Sequence, residues 1–165
     1  MAATIKGIGF QPIRGNWEKV ALPVASAATF QRWAPVDYDG ARNLIECTSA
    51  STFVVGVALS PSTASFPSQL SVNGPLVNCV TVAIPMDFSA VARASILSTV
   101  VASAISIGQC YNIDKLANNL GVDVTSQASA LVYLDGNFDS AYSTIDVRFV
   151  TQANGLPSYK SVINF

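Results

Sequence analysis

The 165 residues amount to one domain, a size at which folding removes about 70% of the unfolded surface from water, so no disulfide is needed to hold the chain. Half of the residues are hydrophobic and 12% are charged, nine basic against ten acidic for a net charge of −1, which excludes a basic nucleic-acid face and a cationic membrane-surface helix. Histidine is absent, and with it the commonest general base, the commonest metal ligand and every histidine-dependent triad.

So sparse a charge leaves much of the surface to Ser, Thr, Asn, Gln and apolar atoms, which predicts a built-in partner surface. Cys47, Cys79 and Cys110 are odd in number and lack the paired spacing of a zinc site or a redox dithiol. They read as small buried hydrophobes in a reducing compartment. The opening residues Met1 to Lys6 have no apolar core of signal-peptide length.

The first region, residues 1–28, is expected to be an extended N-terminal arm. Gly7, Gly9, Pro12, Gly15 and Pro23 interrupt it too often for a long helix, while Ile5, Ile8, Phe10, Ile13 and Trp17 are too apolar for a loose tag. It must lie on something, either its own domain or a neighbouring subunit. Arg14, Trp17 and Lys19 are its anchor candidates, because Trp and Arg are enriched at interface hot spots.

Residues 29–150 read as a β-rich globular domain. Phe30 to Val36 runs into Asp37-Tyr38-Asp39-Gly40, a reversal signal, and Leu44, Glu46 and Thr48 continue extended, so a hairpin is expected. Phe53 to Leu59 is apolar on both faces, as a central strand is, with Gly56 leaving room for another backbone. Ser60 to Gly74 is rich in Ser, Pro and Thr and reads as a loop. Leu76 to Ile84 alternates Val80, Val82 and Ile84 against Cys79, Thr81 and Ala83, a strand stopped by Pro85. The run Phe88 to Ile107 predicts one short helix over Ser89 to Ser95 followed by a strand. Arg93 and the serines at 89, 95, 98, 103 and 106 leave it short of the ~20 apolar residues a bilayer requires.

The stretch from Ile105 to Val150 reads as strand, turn, strand, twice over. Ile105 to Ile113 alternates, and Asn118-Asn119-Leu120-Gly121 supplies a reversal before Val122 and Val124. Ala130 to Leu134 is expected to end in a turn at Asp135-Gly136-Asn137. Ile145, Val147 and Phe149 then alternate with Thr144, Asp146 and Arg148, a half-buried strand with its charges facing out. The tail, residues 151–165, has Asn154-Gly155 and Pro157 as breakers and Tyr159, Val162, Ile163 and Phe165 as apolar teeth, so it is expected to pack on the domain or a neighbour.

Catalytic equipment is hard to assemble from these residues. The acids Asp37, Asp39, Asp135 and Asp139 flank turns, where carboxylates ordinarily serve the backbone. Asp135 to Asp139 places oxygens at alternate positions as a calcium loop does, but lacks the long acidic loop and terminal glutamate. There is no phosphate-cradling glycine loop with lysine and no Gly-x-Ser-x-Gly elbow. Trp17, Trp33, Tyr38, Tyr111, Tyr133, Tyr142 and Tyr159 could stack on sugars, though in an all-β domain such residues usually pack the core or an interface.

Four segments carry a family resemblance: Gly9-Phe10-Gln11-Pro12-Ile13-Arg14, the run Phe53 to Leu59, Ile107-Gly108-Gln109-Cys110-Tyr111 and Ile145 to Phe149. With them the chain resembles the β-tulip decoration, or cement, proteins of tailed-phage heads, over most of residues 9 to 150. The resemblance implies a mainly all-β protein, a small β-barrel or β-tulip-like domain with one short helix and an extended N-terminal arm. It implies a virion structural protein that is not an enzyme, carries no cofactor or metal, and sits on the outer surface of an icosahedral capsid assembled in the host cytoplasm. Its partner would be the major capsid protein, and it would act as a homotrimer, or a dimer, to stabilise neighbouring capsid subunits. The capsid-binding arm would use Ile5, Ile8, Phe10, Ile13, Arg14 and Trp17 by adding a strand to a capsid sheet. The chain departs from the smallest members of that family in its tail, where Tyr159, Lys160 and Phe165 are candidate contacts for a second clamp. The rival expectations are a carbohydrate-binding or adhesin module of a head or tail fibre, and a small enzyme working through carboxylates alone.

Overall fold

The computed structural model describes residues 9–70, 72–97, 105–116, 119–127 and 131–150. Among them the chain is all-β, with one turn of 3-10 helix at Ser62–Ala64 and two curled antiparallel sheets that form a half-barrel. The strands are β1 (Phe10–Arg14), β2 (Trp17–Pro23), β3 (Pro35–Tyr38), β4 (Leu44–Glu46), β5 (Gly56–Ala58), β6 (Phe66–Gln69), β7 (Leu76–Pro85), β8 (Val91–Ser95), β9 (Cys110–Leu116), β10 (Asn119–Asp123), β11 (Val132–Asp139) and β12 (Thr144–Phe149). The first sheet runs β1-β8-β12-β11-β9-β10, the second β2-β7-β5-β3-β4, with β6 also paired to β7.

The organising strand of the second sheet is β7. One of its edges takes β2, from Trp17 opposite Pro85 to Pro23 opposite Cys79, and the other is shared by β6 and β5. Its alternation is the one expected, with Val80, Val82 and Ile84 in the core. Val36, Leu44 and Val57 join them from the same sheet, and Phe10, Ile113, Leu134, Ile145 and Val147 face them from the other. Each such side chain taken fully out of water contributes about 1.5–3 kcal/mol, which is what holds the two sheets together. Gly56 sits where expected, in a central strand pressed against β7. A Cβ there would lie 2.4 Å from the Ala83 carbonyl oxygen and 2.7 Å from a Val82 methyl.

The chain passes from the first sheet to the second at an elbow between β1 and β2. Gly15 makes that elbow, with φ +87° and no room for a side chain, since a Cβ would overlap the Ser89 carbonyl. Residues 10–23 are thus strands of the domain's own sheets instead of an arm reaching outward. Phe10 is fully buried and β1 pairs with β8, while every residue of β2 pairs with β7.

Four other expectations change on contact with the fold. The helix over Ser89 to Ser95 is absent and Val91–Ser95 is β8, sandwiched between β1 and β12. Alanines favour helix locally, but here pairing on both edges decides. The turn at Asp135-Gly136-Asn137 is a pair of register shifts inside β11, with Asn137 at φ +53°, and the reversal comes after Asp139. Gly108, at φ +84°, lies in a turn before β9, so the extended run begins at Cys110 and not at Ile105. The Ser60 to Gly74 loop contains β6. No helix among the described residues is long and apolar enough to cross a membrane.

Candidate functional site

The residues expected to grip a partner fall into three groups. Ile5, Ile8, Tyr159, Lys160 and Phe165 lie outside the described residues. Phe10 is buried with its ring 5.7 Å from that of Phe149, and Trp17 is half-buried, meeting the same phenyl edge-on at 6.3 Å while also facing the cleft described below. Ile13 and Arg14, at the elbow, remain exposed.

Arg14 is nonetheless occupied. Its Nη2 donates to Asp135 Oδ2 at 2.7 Å, and Nη1 stands 3.5 Å from Asp146 Oδ2. Asp135 also accepts from Arg148 Nε at 2.8 Å, and Asp146 from Arg93 Nε at 2.9 Å and Asn137 Nδ2 at 2.7 Å. Arg148 lies over the Phe88 ring and donates to the Phe88 carbonyl. This network covers the polar face of β12, so Asp146 is buried although its alternation placed it outside. It also disposes of the calcium-loop reading, because Asp135 is spent on two arginines and Asp139 accepts the Ala141 and Tyr142 N–H groups. No cluster of three metal-ligating side chains occurs among the described residues.

The thiols are not set up as nucleophiles. Burial pushes Cys47 well above the ordinary thiol value and raises Cys79 and Cys110 as well, so none is held as the reactive thiolate. Asp37 is raised too, by burial, against the opposing pull of the Tyr38 N–H and the Ser51 hydroxyl. It pairs in the β3–β4 hairpin and does not line the cleft described next.

A cleft of about 520 Å³ opens beside the elbow, lined by Pro12 to Gly15, Trp17, Lys19, Arg32, Trp33, Leu59 and Ala83. That volume lies within the range of small-ligand pockets, roughly 300–1,000 Å³. Trp33 is built into it unusually. A tryptophan at φ +69° is held in the left-handed region by two main-chain hydrogen bonds of 2.7 Å, donating to Ala58 and accepting from Phe10. The Arg32 guanidinium stacks 4.2 Å above its ring.

A second exposed feature is apolar. Phe66, Leu70, Val72 and Leu76 are all exposed on the β6–β7 hairpin, Val72 at 91% and Leu76 at 68% of full accessibility. The register sets Phe66 opposite Cys79 and Leu76 opposite Gln69, so these two lie on opposite faces of the hairpin and the exposed group at its turn end is Leu70, Val72 and Leu76. Exposed apolar groups of this kind mark contact surfaces. No charged residue occurs between Glu46 and Asp87, and that gap was the sequence signal for this patch. Of the cleft, Arg32 was missed, because nothing local shows that it folds back over Trp33. No known protein family, curated protein or solved structure matches the chain.

Proposed function

We propose that the chain is a non-catalytic decoration protein that attaches to the outside of an icosahedral phage head and stabilises contacts between major capsid protein subunits. The observation that carries the reading is the apolar hairpin. Leu70, Val72 and Leu76 stand in water at the turn end of the β6–β7 hairpin, in a stretch of sequence without a charge to keep other surfaces away. The resemblance noted in the sequence supplies the kind of partner. Phe10–Arg14 pairs with β8 on one side only and ends its sheet, so the strand addition that the resemblance implied is compatible with β1. We place the main attachment at the hairpin, whose exposed side chains gain from burial against the shell. Many copies on one symmetric shell let a modest single-site affinity suffice, and self-association as a trimer adds to the same effect.

The test is co-sedimentation with purified phage heads. The intact chain should pellet saturably, and the triple variant Leu70→Ser, Val72→Ser, Leu76→Ser should lose roughly tenfold or more in affinity, as loss of buried apolar anchors does, while its thermal midpoint stays put. A chain left in the supernatant by every head preparation, or a triple variant that pellets as well as the original, ends the proposal.

A further inference from the structure

We infer that the cleft at the β1–β2 elbow binds a carboxylate-bearing saccharide, with Trp33 and Trp17 as the aromatic walls and Lys19 and Arg32 as the anion contacts. This goes beyond attachment to a shell and stands on different residues. Three observations converge on it.

The first is the charge of the lining. Arg14, Lys19 and Arg32 are the ionisable side chains around the cleft, and no carboxylate is among them. Arg14 is spent on Asp135 and Asp146. Lys19 and Arg32 are exposed, and neither has an ion pair or hydrogen bond from its side chain among the described residues. An unneutralised lysine and arginine at one concave site attract an anion, and a planar carboxylate suits the guanidinium fork.

The second is the aromatic wall. Trp17 and Trp33 are the only tryptophans in the chain, and both line this one cleft. Trp17 has already used its indole N–H on the Arg14 carbonyl at 2.8 Å, but that of Trp33 has no partner among the described residues. The ring of Trp33 is half-buried and its backbone sits in a conformation that bulky residues rarely adopt. Strained backbone of this kind concentrates at binding sites. One face of the Trp33 indole carries the Arg32 guanidinium, so a sugar ring meets its edge and its N–H, which offers a hydrogen bond to a hydroxyl, while Trp17 supplies the apolar wall.

The third is the shape. The lining comes from five separate segments, namely the elbow, β2, residues 32–33, Leu59 after β5, and Ala83 of β7. An acidic peptide would need a continuous run of main-chain partners along one strand edge, and the two edge strands that meet here, β1 and β2, are separated by the Gly15 elbow, with Pro12 lacking an N–H to donate. A compact anionic ring system fits the cleft better than an extended chain does.

The two tryptophans make the intact protein its own reporter. Intrinsic fluorescence should be titrated with digalacturonate and 3′-sialyllactose, with lactose and a hexaglutamate peptide as controls. A saturable change with at least one acidic sugar is expected, roughly tenfold weaker for lactose and weaker again at high salt. The exposed double variant Lys19→Ala, Arg32→Ala should lose that affinity by a similar factor while melting at the same temperature and still sedimenting with heads. The inference is overturned by no saturable change with either acidic sugar up to about 10 mM, where even a millimolar site would be filled. Binding of hexaglutamate in preference to the sugars, or unchanged sugar affinity in the double variant, overturns it equally.

Discussion

Asp146 is a carboxylate with no accessible surface, whose burial is offset by two hydrogen-bond donors, Arg93 and Asn137, and by the Arg14 guanidinium as an ion-pair partner. Arg93 and Arg14 bring charge and Asn137 brings a neutral N–H, yet both arginines keep one side in water, Arg93 at 39% and Arg14 at 47% side-chain exposure. Breaking a fully buried pair by removing one partner costs about 3–5 kcal/mol. Here the orphaned guanidiniums can rehydrate, so Asp146→Ala should cost less, about 2 kcal/mol, measured by urea unfolding at neutral pH. Ionisation at other carboxylates has opposite signs in different places. The Asn43 N–H holds Asp39 below its ordinary value, and Ser89 does the same for Asp87. Their stabilisation is complete above the ordinary carboxylate range near pH ~4 and is lost as the pH falls through the depressed folded values. Asp37 is raised by burial, so its contribution is present below the ordinary value and is lost as the pH rises through the folded one. Asp37→Asn should therefore gain stability relative to the original chain as the pH is taken from about 4 to 7. Parallel curves for the two proteins would show that Asp37 is not desolvated in solution.

At the scale of single elements, two glycines separate packing from backbone freedom. Gly56→Ala drives a methyl into the Ala83 carbonyl and the Val82 side chain, and β5 can yield only by leaving β7 or β3. A cost of about 3 kcal/mol is expected from chemical denaturation. Gly40→Ala meets nothing within 4 Å and should fall within about 0.5 kcal/mol of neutral. The close approach at Gly56 was legible beforehand because a lone glycine in a doubly apolar strand has few other uses. The long β7 and the existence of the β3–β4 hairpin were legible for a similar reason, since alternation and an Asp-Gly reversal are local signals. The hairpin's first strand, though, runs Pro35–Tyr38 instead of Phe30 to Val36, with a turn at residues 32–33 and the reversal starting only at Asp39. What stayed hidden depends on distance along the chain. Arg93 and Asp146 are 53 positions apart and Arg14 and Asp135 are 121 apart, so no window of sequence reveals that the polar face of β12 is covered. The same holds for β8, whose alanines read as helix until β1 and β12 are seen on either side. β6 was missed because Ser, Pro and an exposed Phe are loop chemistry, and only its pairing with β7 makes it a strand.

For the molecule as a whole, the decisive question is which part of the N-terminal region is domain and which is free to serve a partner. An arm ending at residue 28 would come away without harm. Pairing says otherwise: β1 closes one edge of the first sheet and β2 one edge of the second. Phe10 is a fully buried member of the core, and Trp17 packs on Phe149. Removing residues 1–17 strips all of β1 with its hydrogen bonds to β8, the Phe10 side chain and the Arg14 contact to Asp135. Loss of one buried phenylalanine alone costs about 3–5 kcal/mol, a large share of the 5–15 kcal/mol that a typical domain has in total. The truncated chain should therefore be largely unfolded at 37 °C by circular dichroism. Removing residues 1–8 takes away none of these contacts, and its thermal midpoint should stay within a few degrees of the original. The pair of truncations then separates two roles in the same sedimentation assay with phage heads. If attachment runs through the β6–β7 hairpin, the chain lacking residues 1–8 still pellets. If it stays folded but no longer pellets, Ile5 and Ile8 hold the shell and the hairpin does not.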